Sequence, residues 1–204
     1  MMRGTSWHIA GGALVLFGCF TLQSVLEQAN VARDTDVVEL WSGVGAVVAA
    51  AGNLGFETRA FDLHRVPGVT NRAGAENEDI TKKSGFGIAL KHVLSLRPGG
   101  LLWMAPLCSS FVFPNNSNTK RTKANFAGDE SYKPVAEGNL MAMICVFFAQ
   151  LALARCVHVG FENLVGSTIW SYCRMWCKVL DLLECKTIGR CAYDEGPFPR
   201  LGKI

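Results

Sequence analysis

The chain has 204 residues, half of them hydrophobic, with a mean hydropathy of +0.21 and a formal net charge of +3. That length suits one full-sized α/β domain and leaves barely enough for a second, and the apolar fraction predicts a substantial buried core. The charge is too small to argue by itself for a nucleic-acid partner.

Residues 1–34 form a unit of their own in the sequence. One basic residue precedes an uncharged apolar run from Ile9 to Leu22. The run is short for a membrane span and has the core of a signal peptide without a good cleavage site after it. Two readings stand: a helix packed on the domain through Leu22, Val25 and Leu26, or a targeting or anchoring segment over residues 9–26. An α/β domain is expected over residues 35–204.

Val37 to Trp41 is β-branched and apolar and reads as a buried strand. Ser42-Gly-Val-Gly45 is a tight turn. Ala46 to Leu54 is alanine-rich and predicts a helix, with Gly55 at its C′ position. Thr58 to Phe61 is a second strand, and the polar stretch from Leu63 to Glu78 a loop. Phe86, Ile88, Ala89, Val93 and Leu96 fall at helical spacing, so a helix is expected over 84–96, stopped by Pro98-Gly-Gly100.

Leu101 to Ala105 is a third strand. Ser109 to Lys133 is long, polar and weakly patterned, hence a functional or mobile loop. Val135 to Ala154 is the strongest helix signal, apolar nearly all round from Leu140. That stretch is shorter than the ~20 residues a span requires, so it predicts a helix between two layers. His158 to Phe161 is a fourth strand, Ser167 to Leu183 a helix and Cys185 to Tyr193 a strand. Strands alternate with helices throughout. The expected fold is a Rossmann-like, doubly wound, mostly parallel sheet with helices on both faces.

Eight cysteines are scattered along the chain without a CxxC pair, which fits a reducing compartment better than a disulfide framework. Localisation inside the cell, nuclear or cytoplasmic, is therefore expected unless the N-terminal run anchors or exports the protein. Cys173, Cys177, Cys185 and Cys191 match no common zinc spacing, and no metal site is expected.

In an open parallel sheet, ligands bind beyond the carboxyl ends of the strands. The polar clusters after the first, third and fourth strands would meet there, although they are far apart in sequence. Gly43 and Gly45 let the backbone approach a ligand closely. Asp62 ends the second strand, where a carboxylate can accept both hydroxyls of a ribose. Cys108 follows the third strand, and Glu162-Asn163 the fourth.

On these residues the chain resembles class I S-adenosylmethionine-dependent methyltransferases, closest to the catalytic core of the cytosine-C5 DNA methyltransferases. Glu39-Leu-Trp-Ser-Gly-Val-Gly45 looks like their first motif, and Asp62 matches their ribose-binding acid. Glu78-Asp-Ile80 is similar to their third motif, in which Asp79 would contact the adenine. Ala105-Pro-Leu-Cys108 resembles the proline-cysteine motif, with Pro106 beside the cofactor and Cys108 as nucleophile. Glu162-Asn163 resembles the motif whose glutamate engages the cytosine ring, Asn163 ordering the loop around it. Gly196-Pro-Phe-Pro-Arg200 is similar to a later motif with arginines near the base.

The resemblance implies S-adenosyl-L-methionine as cofactor, bound by Glu39, Gly43, Gly45, Asp62, Asp79 and Pro106. It implies methyl transfer to cytosine C5 in DNA. A Cys108 thiolate would add at C6, making the ring an enamine able to attack a methyl group, and Glu162 at the N3 edge would favour that addition. The base must leave the duplex, at a cost of a few kcal/mol. Lys120, Arg121 and Lys123 would close over phosphates, or simply sit in a solvated loop.

Departures accompany the match. Leu107 stands where a second proline is usual, Ser109 where glutamine is usual and Leu164 where valine is usual. Arg200 and Lys203 do not reproduce the paired-arginine spacing. The chain ends at Ile204, before the place where the family sets its target-recognition region, so no DNA-reading surface of that kind is expected within it. The alternative reading is therefore a methyltransferase-like binding module, inactive or truncated, with the pocket kept and the chemistry lost. No oligomeric state is indicated.

Overall fold

The computed structural model describes residues 31–63 and 79–176. The apolar run 9–26, the loop 64–78 with Glu78, the strand expected over 185–193, the segment 196–200 and Lys203 lie outside the described residues. So do Cys19, Cys177, Cys185 and Cys191.

Among the described residues, four strands and five α-helices follow in the order β1 (Thr35–Leu40), α1 (Ala46–Asn53), β2 (Thr58–Phe61), α2 (Lys83–Leu94), β3 (Leu96–Met104), α3 (Asn116–Thr119), α4 (Lys133–Ala154), β4 (His158–Phe161) and α5 (Ile169–Trp176). The strands form one all-parallel sheet in the order β2-β1-β3-β4. The chain leaves β1 toward β2 and returns on its other side as β3. The strand order thus reverses at β1, which defines the switch point where α/β sheets bind ligands. The protein is an α/β protein of Rossmann-like architecture.

Side-chain alternation shows which helix covers which face. Val38 and Leu40 share a core with Leu102 and Met104 of β3, Ala89 and Val93 of α2, and Ile144 and Phe148 of α4. Glu39 points the other way and takes the N–H of Val48 in α1. Successive strand residues face opposite sides, so α1 lies on one face and α2 with α4 on the other. The second face carries the main core, and its strand residues Val38, Leu40 and Leu102 are fully buried.

Local chemistry fixes the ends of α1. Gly45 precedes it in the left-handed region at φ 72°. Gly55 sits at C′ with φ 86°, and the Phe56 N–H reaches Ala51 O at 3.2 Å. That is the bonding of a Schellman cap, which needs a residue without a Cβ penalty at C′.

β3 begins five residues earlier than the sequence predicts. Pro98-Gly-Gly100 was expected to separate a helix from a strand, yet it lies inside the strand as an irregularity, with pairing slipping between Thr35 and Val37 of β1. Two glycines make this feasible. Gly99 takes φ 78° and donates to Cys156 O at 2.7 Å, and a Cβ on Gly100 would stand 2.8 Å from Asp36 O. α2 accordingly ends at Leu94, short of Leu96.

α4 is buried on two sides. Ile144, Cys145, Phe148, Ala149, Leu151 and Ala152 join the sheet core, while Ala142 and Val146 join a second core with Phe111, Ile169, Tyr172 and Cys173. Its 22 residues are long and apolar enough to cross a membrane by length and composition alone, but 67% of its most apolar stretch is buried within the protein. Packing accounts for a helix without a polar face. The domain's packing also starts ahead of residue 35. Val31 rests on the core, and the Arg33 guanidinium donates to Leu96 O at 3.1 Å and Arg155 O at 3.2 Å.

Candidate active site at the carboxyl edge of the sheet

Parallel register brings distant residues to one level. Leu40 pairs with Phe61 and with Met104, and Met104 pairs with Phe161. The next residue of each strand therefore emerges at the same edge: Trp41, Asp62, Ala105 and Glu162. Backbone bonds extend the ladder into these exits. Ser42 N–H donates to Phe61 O at 3.2 Å, Ala105 N–H to Leu40 O at 3.2 Å and Glu162 N–H to Met104 O at 2.9 Å.

The turn after β1 holds three left-handed residues, Trp41 at φ 57°, Gly43 at 52° and Gly45 at 72°. Glycine adopts that region freely. A tryptophan there is a true outlier, and such outliers concentrate at functional sites. Trp41 is held by packing against the main core. Asp62 reaches across from β2, its Oδ2 accepting the Gly43 N–H at 2.8 Å. The acid and the glycine turn thus form one unit. A Cβ placed on Gly43 would meet nothing within 4 Å, so the turn faces open space.

Glu39 lies beneath that unit and is 4% exposed. Its Oε2 accepts the Val48 N–H at 3.0 Å, so the carboxylate caps the first turn of α1, where free amides favour negative charge. Burial nonetheless raises its pKa above 4.5. The amides of Val48 and Val47 pull it down, and the nearby carboxylates of Glu162 and Asp62 push it up. Glu39 is thus a structural carboxylate under the turn, close enough to feel two other acids of the edge.

The sign follows for stability. The folded state holds this proton more tightly than the unfolded chain does. The contribution is therefore fully present below 4.5 and lost as pH rises through the raised folded value. Glu39→Gln keeps an oxygen for the Val48 N–H without the charge. The variant is expected to be more stable than wild type near neutral pH, with the difference shrinking as pH falls toward 4. Urea unfolding at both pH values checks this.

After β3, Pro106 is buried, Leu107 is 63% exposed, and Cys108 is a partly buried free thiol. A 3-10 turn, Ser109–Phe111, starts at Cys108, whose carbonyl accepts the Phe111 N–H at 2.8 Å. The segment after β4 is tied to this one at two points. Asn163 Nδ2 donates to Pro106 O at 3.1 Å, and Thr168 donates to Phe111 O from its N–H at 2.9 Å and its hydroxyl at 3.1 Å. Cys108 and the exposed Glu162 therefore sit on two segments braced against each other.

Asp79 makes a different contact. Its Oδ1 accepts the Thr81 N–H at 2.9 Å and the Thr81 hydroxyl at 2.6 Å, and these bonds, the hydroxyl first, lower its pKa. It orders the turn before α2. Residues 64–78, which precede it, lie outside the described residues.

The loop after Cys108 differs from expectation. It contains two 3-10 turns and α3, and it is organised around Arg121, which is 1% exposed. Its guanidinium donates to Ser110 O at 2.7 Å, to Ala127 O at 3.1 Å, to Phe126 O and to Asn139 Oδ1 at 2.8 Å, and it stacks 3.7 Å from the Phe111 ring centroid. Burial lowers its pKa to about 10, still charged at neutral pH. Arg121 is consumed internally and corrects the expectation of a cation offered to phosphate. Lys120 and Lys123 are exposed, although the Lys120 ammonium also donates to Ser117 O at 2.6 Å.

Ser110, Gly138 and Thr168 were not singled out from the sequence, yet they support the Cys108 segment. Only Gly138 carried a signal, as a glycine inside a strong helix, which often marks close approach of another backbone. Several exposed apolar residues follow the strand ends at this edge: Val44, Leu63, Leu107, Leu164 and Val165. Cys173 is buried, with its thiol directed at Ala142 O, 3.9 Å away. No cluster of metal-ligating side chains occurs among the described residues. No protein-family model matches the chain, and neither a curated protein nor a solved structure matches it significantly.

Proposed function

We propose that this protein is an S-adenosylmethionine-dependent methyltransferase-like protein whose chemistry is that of the cytosine-C5 DNA type. The observation that carries the reading is the shared level of the glycine turn, Asp62, the Cys108 segment and Glu162 at the switch-point edge. The residues present fit the cofactor. The turn is open above Gly43, and Asp62 stands against it at the end of β2, its Oδ2 accepting the Gly43 N–H, where the reading sets the ribose-binding acid. The exposed Leu107, Leu164 and Val165 offer apolar contact to planar rings.

The cofactor would supply an electrophilic methyl group. In this reading Gly43 and Gly45 admit it, Asp62 orients its ribose and Glu39 holds the start of α1 in place beneath it. Asp79 and Pro106 complete its surroundings. The Cys108 thiol loses a proton and its sulfur adds to C6 of the cytosine. Glu162 would stand at the N3 edge and pass a proton to N3, so electron density moves toward C5. Asn163 fixes the Glu162 segment against Pro106. Once C5 has taken up the methyl group that the cofactor would supply, loss of the C5 proton to solvent would break the C6–S bond, the N3 proton would return to Glu162, and the thiolate and the ring would be restored.

Calorimetric titration of S-adenosylmethionine and S-adenosylhomocysteine tests the cofactor site. Micromolar binding is expected, weakened about tenfold or more in Asp62→Ala, which corresponds to roughly 1.4 kcal/mol. A folded wild type that binds neither compound would end the enzyme reading. A second reading, a binding module without methylation, is favoured by one observation: Arg121 is turned inward and unavailable to phosphate. Cofactor binding without reaction on DNA supports that alternative.

A further inference from the structure

The position of Cys108 is not set by β3 alone. Four residues beyond the strand, the thiol begins a 3-10 turn that rests on α4. Two contacts hold that turn from behind. Ser110 approaches α4 so closely that a Cβ built on Gly138 would stand 2.2 Å from its Oγ and 3.2 Å from the Phe111 ring, but 3.4 Å from the Ser110 Cβ. Arg121 grips the same residue at both polar atoms, donating to Ser110 O at 2.7 Å and to Ser110 Oγ at 3.2 Å. The same Nη2 that meets Ser110 Oγ also lies 2.8 Å from Asn139 Oδ1 and 3.5 Å from Val135 O on α4, while Nη1 reaches Phe126 O and Ala127 O, so the guanidinium fastens turn, loop and helix together.

We propose that Arg121 and Gly138 are positioning residues that clamp the Ser109–Phe111 turn onto α4 and thereby set the place and exposure of the Cys108 thiol. The inference deepens the reading of Cys108 as nucleophile and rests on it for its functional meaning. The clamp itself can be measured without cofactor or nucleic acid. Gly138 supplies the room, because only hydrogen fits against the Ser110 hydroxyl. Arg121 supplies the tie, because its fork spans acceptors on the turn and the helix in a way one ammonium cannot. The two act on Ser110 together, so relieving the clash at Ser110 should undo the effect of filling Gly138.

The experiment is alkylation of the folded protein by iodoacetamide, with the rate at each cysteine read by peptide mass spectrometry. Exposed Cys156 serves as internal reference. Gly138→Ala pushes the turn away from α4, and the Cys108-to-Cys156 rate ratio is expected to rise about fivefold or more, since thiol reactivity follows exposure. Ser110→Ala in the same chain removes the clashing oxygen and is expected to return the ratio to within about twofold of wild type. Arg121→Lys, which keeps the charge but loses the fork, is expected to raise the ratio as well.

An unchanged ratio in folded Gly138→Ala overturns the clamp. A raised ratio that Ser110→Ala fails to reverse also overturns it, because the effect would then be general loosening. An unchanged ratio in Arg121→Lys removes Arg121 from the proposal. Failure of the methyltransferase reading appears separately, as absence of cofactor binding by a protein whose alkylation follows the expected pattern.

Discussion

Replacing Arg121 by methionine will cost about 3–5 kcal/mol of folding stability, a large share of what a domain of this size possesses. The guanidinium is fully buried and donates to the carbonyls of Ser110, Phe126 and Ala127 and to the Asn139 side chain. Methionine is shorter than arginine but keeps an apolar stem that can rest against Phe111, so lost packing is the smaller term. The cost comes from acceptors left without donors in a dry interior, about 1–3 kcal/mol each before relaxation. Water entering the loop would recover part of it, which sets the upper bound. Urea unfolding with an unchanged m-value is the measurement. A loss below about 1 kcal/mol would mean that the loop opens to water at little cost.

Cys108→Ser will abolish covalent capture of DNA carrying 5-fluorocytosine while leaving S-adenosylmethionine affinity within about twofold. The fluorine cannot leave as a cation, so an enzyme of the proposed type stalls with its sulfur bonded to C6. Serine keeps the shape of the segment but presents a poor nucleophile at neutral pH. The bonds that brace this segment involve Pro106 O, Cys108 O and Phe111 O, none of which the substitution touches. Denaturing electrophoresis of the adduct reads the result. Capture that survives in the serine variant would assign the bond to another residue. Absence of capture by a wild type that binds the cofactor would favour the binding module.

The sequence made the first half of the site legible because the signals there are local. A β-branched run, two glycines, an alanine-rich helix closed by Gly55 and a second strand ending in Asp62 each state their structure within a few residues. Long-range placement followed from a rule about parallel sheets, which needs only the order of elements. The loop after Cys108 was illegible for the opposite reason. Arg121 stands among Lys120, Lys123 and several asparagines, a composition that reads as solvated surface. Its partners Val135 and Asn139 lie on a helix whose pairing with the loop no local pattern announces. Pro98-Gly-Gly100 misled similarly. It has the chemistry of a stop, but Gly99 and Gly100 serve a slipped strand pairing that depends on β1 and Cys156. Glu39 offered a missed clue, since a carboxylate within an apolar buried strand must find donors, and those are the amides of α1.

The two-sided burial of α4 bears on how the protein is made. One side of that helix is covered by the sheet, most of which precedes it in the chain, but the other side is completed by α5, which is synthesised later. A ribosome that has finished α4 has therefore produced an unfinished molecule with a greasy rod on its surface. During that interval the nascent chain is a substrate for chaperones and for the machinery that sorts hydrophobic segments to membranes. Production of this domain in a foreign host should depend on trigger-type chaperone capacity more than its modest size suggests, and truncations ending between α4 and α5 should aggregate.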